Sequence, residues 1–264
     1  FGTVCPVCGA QNIRYSGFGT QKIQQELQSL FPDKKILRMD ADTTTAKNAH
    51  DIALGAFADG EYDILIGTQM VAKGLDFPNV TLVGIASVDG ELFGDDFRSS
   101  ERVFDLITQV VGRAGRGNLK GRAVIQTVSP ENDIISLASK QDYGAYFDRE
   151  IMLRKIMIYP PYCDICVVSF SSADEKNCAR CADDFLRMLV TSADGETGVK
   201  MVVLGPMVPK VERIGGKYRR RIIIKTKNTA PFRAVVSDAL KDAASDKNNR
   251  GVTVYADMNP ESTD

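Results

Sequence analysis

A single histidine, His50, stands among the 264 residues. It lies in a helix-like stretch with no cysteine or acidic triad around it, so no acid–base or metal chemistry is assigned to it. No apolar run approaches the ~18 residues that a membrane span requires, and no signal-peptide pattern opens the chain. Both absences speak against a membrane or secreted role and for a cytoplasmic one. The sequence also has no G-x-x-x-x-G-K-[ST] phosphate loop and no acidic strand-end motif of the D-E-x-H kind. An excess of one charge is missing too. The formal net charge is −1, so a nucleic-acid partner has to be argued from local patches and not from the total. The chain begins with Phe1 in place of an initiator methionine, from which we expect it to have been cut from something longer.

What is present is a composition ordinary for a soluble globular protein, 44% hydrophobic and 25% charged, in a chain long enough for two domains. Its most informative stretch is Gln109-Val-Val-Gly112-Arg113-Ala-Gly115-Arg116-Gly117. Val103, Ile107, Val110 and Ala114 keep a helical spacing, so the segment from about Arg98 should bury one face. Interior glycine costs about 1 kcal/mol per position relative to alanine, so the glycines mark a helix end where something approaches the backbone closely. Arg113 and Arg116, three apart, project from that end in one direction. Two guanidiniums beside small residues suit bidentate recognition of phosphate. The same residues also suit a glycine C-cap with arginines answering the helix dipole.

A second stretch favours the phosphate reading. Tyr62-Asp-Ile-Leu-Ile-Gly67 is a short apolar run fit for a buried parallel strand, and it leads into Thr68-Gln69-Met-Val-Ala-Lys73-Gly74-Leu-Asp76. In open α/β sheets ligands sit at the carboxyl ends of strands, where this loop would lie. The two stretches resemble the fifth and sixth motifs of superfamily 2 helicases. The wording G-T-Q-M-x-A-K-G-x-D-F-P, then D-G-x-x-F-x-x-D-F-R-x-x-E-R from Asp89 to Arg102, then Q-V-x-G-R-A-G-R-G, is similar to the bacterial primosomal helicases that restart stalled replication forks.

That resemblance implies a fold and a division of labour. The fold is α/β, a second RecA-like helicase lobe with a parallel sheet and helices on both faces, followed by a smaller α+β domain. Arg113 and Arg116 would be arginine fingers on the γ-phosphate, with Gly74, Asp76 and Gln109 also on the nucleotide side. Thr68, Gln69 and Lys73 would contact the translocating DNA strand. ATP with Mg2+ would be bound mostly by a preceding lobe, because phosphates need a cradle that this sequence lacks. Partners would be single-stranded and forked DNA, the primosome and single-strand-binding proteins, and the chain would be a monomer. The rival reading, from another class, is a non-catalytic nucleic-acid-binding or scaffold module.

The six cysteines divide. Cys5-Pro-Val-Cys8-Gly9 has the spacing and the glycine of a zinc knuckle, but two thiolates are half a tetrahedral site. In the resembled family this would be the last of several cysteine pairs, with Zn2+ as the ion. Cys163-x-x-Cys166 and Cys178-x-x-Cys181 share the spacing without the glycine. The first pair falls in a strand, where positions three apart face opposite ways, so we expect these four to be reduced and mostly buried. Asp40 and Asp42 suggest a metal pair, but Asp42-Thr43-Thr44 directly before a helix is more simply an N-cap cluster.

Pattern alone predicts strands at 13–15, 35–39, 62–67, 80–86 and 122–128. It predicts helices at 19–31, with Ile23, Leu27 and Leu30 on one face, at 46–58, with Ile52, Ala53, Ala56 and Phe57 inward, and from about 98. Such alternation argues a parallel sheet. Residues 132–158 carry helical periodicity and end at Pro160-Pro161. Strands at 163–171, 200–208, 219–226 and 252–257, with helices at 174–191 and 229–244, then give a βαββαβ order, as in a ferredoxin-like fold. The expected domains are a remnant of a zinc-binding insertion over 1–11, the lobe over 12–130, a helical linker over 131–160 and the C-terminal domain over 161–264. Between and within the central strands of the last, residues 209–225 hold seven basic residues and one acidic, a local +6. Lys217, Arg219, Arg220 and Arg221 are its densest part, and we expect them to bind DNA, with Tyr218 as a stacking ring. Alternation should place Arg219 and Arg221 on one face and Arg220 with Ile222 on the other.

Overall fold

The computed structural model describes residues 19–40, 49–68, 77, 79–112, 121–193 and 198–263. By contact they fall into two compact units, one drawn from Phe1–Leu92 and Arg102–Gln141, the other from Phe93–Glu101 and Asp142–Asp264.

The first unit alternates helices and parallel strands. Helix α1 (Thr20–Leu30) is followed by β1 (Ile36–Met39), α2 (Ala49–Ala58) and β2 (Ile64–Gly67). Then come β3 (Leu82–Ile85), the single turn α3 (Asp89–Leu92), α4 (Ser99–Val111), β4 (Arg122–Ile125) and α5 (Asp133–Ser139). Strand β1 pairs in parallel with β2, Ile36 opposite Ile64, and β3 in parallel with β4, Leu82 opposite Arg122. The expected parallel sheet is therefore present as two parallel pairs among the described residues. Asp63 fastens the first pair, accepting from the Lys35 backbone N–H at 3.0 Å, and this bond with that to Lys34 lowers its pKa. Helix α4 buries Val103, Phe104, Ile107 and Val110, the face its spacing predicted.

Two inward faces differ from expectation. In α2 Ile52 is exposed and Leu54 is buried instead, while Ala53, Ala56 and Phe57 are half-buried. In α1 Ile23 and Leu27 are half-buried but Leu30, in the last turn, is exposed. A short helix that meets the core with a single stripe leaves its end residue in water. The strand expected at 13–15 lies outside the described residues.

The helical stretch 132–158 is two helices, not one. Asn132 caps α5, its side chain accepting from the Ile134 N–H at 2.9 Å, and Asp142 caps α6 (Tyr143–Met157), accepting from Ala145 at 3.0 Å. Between them Gln141 adopts a positive φ of 57° that a continuing helix could not accommodate. The two helices fall in different contact units, α5 in the first and α6 in the second.

The second unit carries β5 (Asp164–Ser172), α7 (Glu175–Ala193), β6 (Met201–Met207), the short β7 (Arg213–Ile214), β8 (Lys217–Thr226), α8 (Ala230–Ser245) and β9 (Val252–Met258). The strand order is β6-β8-β5-β9, every neighbour antiparallel, with β7 folded against β8. Gly215 and Gly216, with φ of 56° and 80°, make the two-residue β7–β8 turn that glycine pairs favour. One face of the sheet sets Cys166, Val168, Phe170, Ile222 and Ile224 against Cys178, Phe185 and Leu189 of α7 and Phe232, Val236 and Ala239 of α8. The three phenylalanines are fully buried, each worth about 1.5–3 kcal/mol in transfer. On the opposite face Cys163, Ile165, Val167 and Ile223 form a second cluster with Phe97, Tyr159 and Met207.

Candidate functional site

Strand β2 ends at Gly67, and Thr68 follows it exposed, so a parallel strand does deliver this residue to a surface at its carboxyl end. Gln109 is exposed on the last turn of α4, and the helix ends at Val111 with Gly112 in a turn. Gly112 is a place of close approach, because an added Cβ would lie 3.2 Å from the Thr108 carbonyl. Gln69, Lys73, Gly74, Asp76, Arg113 and Arg116 lie outside the described residues, as do Cys5 and Cys8.

Between these two stretches runs the segment Asp89–Arg102, whose spacing was noted in the sequence without a role for its residues. In the first unit Asp89 holds the chain leaving β4, accepting from Thr127 Oγ1 at 2.6 Å and from the Val128 N–H at 3.2 Å. Arg102 pairs with Glu91 at 3.0 Å across the bend between α3 and α4.

In the second unit the middle of the segment is bound by side chains far away in sequence. Asp96 is 6% exposed. Its carboxylate accepts from the Arg98 N–H at 2.8 Å, the Thr263 N–H at 2.7 Å, the Ser262 hydroxyl at 3.0 Å and the Thr263 hydroxyl at 3.2 Å. A buried carboxylate surrounded by donors is stable as an anion, where an unpaired one would not be. Arg98 donates to the carbonyls of Pro260 at 2.9 Å and Glu261 at 3.1 Å. Phe97 stacks on Tyr159, centroids 4.9 Å apart and planes 9° from parallel, with the Arg98 guanidinium 4.4 Å from the Phe97 centroid. Lys225 sets its ammonium 3.5 Å from the Tyr159 ring centre and donates to the Met157 carbonyl at 2.8 Å. Burial pulls the Lys225 pKa down, and burial with the nearby Asp96 charge pushes the Tyr159 hydroxyl up.

Arg154 of α6 completes the arrangement, donating to Glu101 in the first turn of α4 and to Glu150, both at 2.7 Å. Burial opposes its charge, but the two carboxylates outweigh burial and raise its pKa. The signal that could have revealed this site was the sequence Asp96-Phe97-Arg98 itself. An acid, a ring and a guanidinium crowded at a helix start are more than a cap requires.

The four basic residues at the start of β8 do not form one patch. Their alternation is as expected, but their surroundings differ. Arg220, on the helix face with Ile222, donates to Glu175 at 2.8 Å and stands 3.7 Å from Glu212. Arg221, on the other face, is buried and donates to the Thr263 carbonyl. Arg219 is half-buried and donates to the Val211 carbonyl at 3.2 Å, and Lys217 is exposed. Tyr218 is already covered, with the Arg213 guanidinium 4.8 Å from its ring centroid. The reason is the sheet itself: from Arg221 onward β8 is buried on both faces, so charges there take internal partners.

Cys163, Cys166, Cys178 and Cys181 are free and buried. Cys166 faces the helices and Cys163 the opposite cluster, as a strand spacing of three demands. Burial raises all four thiols, Cys166 to about 12 and Cys181 to about 11. Among the described residues no group of three or more His, Cys, Asp or Glu side chains could hold a metal ion. Nor is any described helix long and apolar enough to cross a membrane. Asp40 is engaged by Thr20 Oγ1 at 2.7 Å and Arg38 at 3.3 Å, while Asp42 lies outside the described residues.

Comparison with known proteins adds the following. Residues 13–118 match the Helicase conserved C-terminal domain, and residues 155–261 match the Primosomal protein N C-terminal domain. The Replication restart protein PriA of Bacillus subtilis is 40% identical over 97% of the chain and 31% of that relative. Its namesake from Chlamydia trachomatis is 48% identical over 61% of the chain and 21% of the relative. That from Synechocystis is 35% identical over 84% of the chain and 26% of the relative. The chain thus spans about a third or less of the length of these relatives.

Proposed function

The chain belongs to the PriA family of replication restart proteins, and on that premise we propose that it works as the C-terminal part of an ATP-dependent 3′-to-5′ DNA helicase that remodels stalled forks and initiates primosome assembly. The observation that carries this reading is the pair of domain matches in series, a helicase C-terminal domain followed by the C-terminal domain of a primosomal protein.

In this reading the two stretches flanking Asp89–Arg102 share the work. Arg113 and Arg116 stabilise charge on the γ-phosphate, and Gly74, Asp76 and Gln109 couple nucleotide to lobe closure. ATP with Mg2+ supplies the driving phosphoryl chemistry, held mostly by a preceding lobe with its own phosphate loop. Thr68, exposed at the strand end, contacts the DNA backbone together with Gln69 and Lys73. We assign Cys5 and Cys8 to half of a zinc site. For the basic cluster the proposal narrows to Lys217 and Arg219, because Arg220 and Arg221 serve internal partners. The α+β domain we infer to be ferredoxin-like, on the support of its βαββαβ order and the strand order β6-β8-β5-β9. The protein acts in the cytoplasm as a monomer on single-stranded and forked DNA, with primosome and single-strand-binding proteins as partners.

The test is Arg113→Ala and Arg116→Ala in the complete gene product. An arginine finger acts on transition-state charge, so ATP-driven unwinding should fall by ~10³ or more while DNA affinity stays nearly unchanged. Unwinding within about a factor of two of wild type would remove the sixth-motif assignment.

A further inference from the structure

We propose that the β7–β8 hairpin is a junction-binding arm, which sets Ile214 against the terminal base pair of a DNA fork while Lys217 and Arg219 hold phosphates of the adjoining single strand. The proposal rests on the fork-acting reading above and deepens it by naming the DNA structure this surface recognises. It starts from two kinds of side chain that share residues 208–219. Four basic residues and one acidic give this stretch a net +3, as in a solvated charged turn. Interleaved with them, however, Val208, Val211 and Ile214 are 48%, 52% and 57% exposed. Single exposed aliphatics are ordinary on a surface. Three within seven residues, rimmed by cations, make a patch that calls for an occupant.

The arm is braced on one face and open on the other. Arg213 lies opposite Tyr218, covers its ring, and donates from Nε to the Gly216 carbonyl at 3.2 Å, which stiffens the glycine turn. Arg219 fastens the base of the arm, its backbone N–H donating to the Glu212 carbonyl at 2.9 Å and its guanidinium to the Val211 carbonyl at 3.2 Å. The open face carries Ile214 directly opposite Lys217, with Arg219 two residues further along β8. Because Arg213 occupies the Tyr218 ring, the group this face offers a base is aliphatic and not aromatic. A single strand or an unbroken duplex would be held by the cations alone, through counterion release. A fork adds a terminal base pair with one unstacked, apolar surface beside diverging phosphates. Aliphatic side chains flanked by lysine and arginine are the means by which proteins enter a base step. The surplus of cations favours this polyanion over a protein partner as the occupant.

The experiment uses the complete gene product with Ile214→Ser and the conservative Ile214→Leu, both at an exposed position where the fold does not depend on the side chain. Affinity for a fork and for single-stranded DNA is measured over a range of salt, and 2-aminopurine at the junction reports unstacking. Covering the exposed part of one isoleucine is worth roughly fivefold in affinity. Ile214→Ser should therefore weaken fork binding about fivefold, with single-strand affinity held within about twofold and the slope of log K against log salt unchanged on both. Ile214→Leu should bind the fork within about twofold of wild type. The junction 2-aminopurine should brighten on binding wild type and brighten less with Ile214→Ser. An equal loss on fork and single strand, or equal brightening with Ile214→Ser, overturns the proposal. Fork affinity unchanged within about twofold also overturns it and hands the patch to a protein partner. Arg116→Ala in parallel separates the two readings. Wild-type unwinding in that variant would sink the helicase assignment, whereas its loss beside normal fork binding by Ile214→Ser would sink the arm alone.

Discussion

Burial decides the chemistry of the four described cysteines, whose C-x-x-C spacings invite a metal. Cys166, Cys178 and Cys181 are wholly out of water in one cluster, and each thiol is pushed upward, Cys166 to about 12 and Cys181 to about 11. A thiol raised that far stays protonated at neutral pH. The sign of its effect on stability follows. The folded state keeps the protons longer than the unfolded chain, whose thiols titrate near pH 8.5. The contribution is therefore complete below about pH 8.5 and is lost as pH rises from there through 11 and 12. Denaturant titrations should show stability level from about pH 7 to 8.5 and falling above, and Cys166→Val/Cys181→Ala should flatten the alkaline decline whatever it does to the neutral value. Equal alkaline slopes in the two proteins would remove the buried thiols from the account.

At the scale of elements the sheet of the second unit contains one position whose residue type is dictated by backbone. Gly205, in β6, has a φ of 105°, and a Cβ there would stand 2.8 Å from the Arg221 carbonyl oxygen and 3.0 Å from the Met207 nitrogen. The register of β6 on β8 breaks between Leu204 and Met207, so the glycine sits in the irregularity. Gly205→Ala combines a disfavoured φ with a backbone clash, and we expect a loss of about 2–4 kcal/mol, measured as a lower urea midpoint at unchanged slope. A loss under about 0.5 kcal/mol, the scale of ordinary surface changes, would mean that the strand repacks. Nothing in the pattern of β6 singles this glycine out, because the nearest clash, with the Arg221 carbonyl, comes from β8. The strands and helices themselves were legible, as β5, α7, β8 and α8 fall within a residue or two of the spans predicted. What escaped was side-chain fate. In β8 Ile222, Ile223 and Ile224 are all buried, and the cover on the second face is Phe97, Tyr159 and Met207, brought from elsewhere in the chain. Local periodicity carries no trace of such partners.

The whole molecule divides by contact in a way its sequence does not. Residues 93–101 lie within the match to the helicase domain, yet by contact they group with residues 142–264. A pattern search finds where helices and strands start, not which unit a nine-residue segment serves. The same limit applies to charge. The local +6 over 209–225 was legible as a count, but the structure assigns Arg220 to Glu175, Arg221 to Thr263 and Arg213 to the face of Tyr218. Of the other cations, Lys210 and Lys217 are exposed and Arg219 is half-buried, and the two in the dense cluster, Lys217 and Arg219, are the ones placed to meet a phosphate together. Each contact with single-stranded DNA contributes ~0.7 to the slope of log K against log salt. Lys217→Ala/Arg219→Ala should therefore make that slope shallower by about 1.4, and Arg220→Ala should leave it unchanged while lowering thermal stability. Arg221 is excluded from the set because removing a buried guanidinium would damage the fold and confuse the reading. A salt titration of single-stranded and forked DNA binding decides the matter. An unchanged slope in the double variant would assign Lys217 and Arg219 to a protein partner or to solubility, and the DNA contacts of this unit would have to be sought elsewhere.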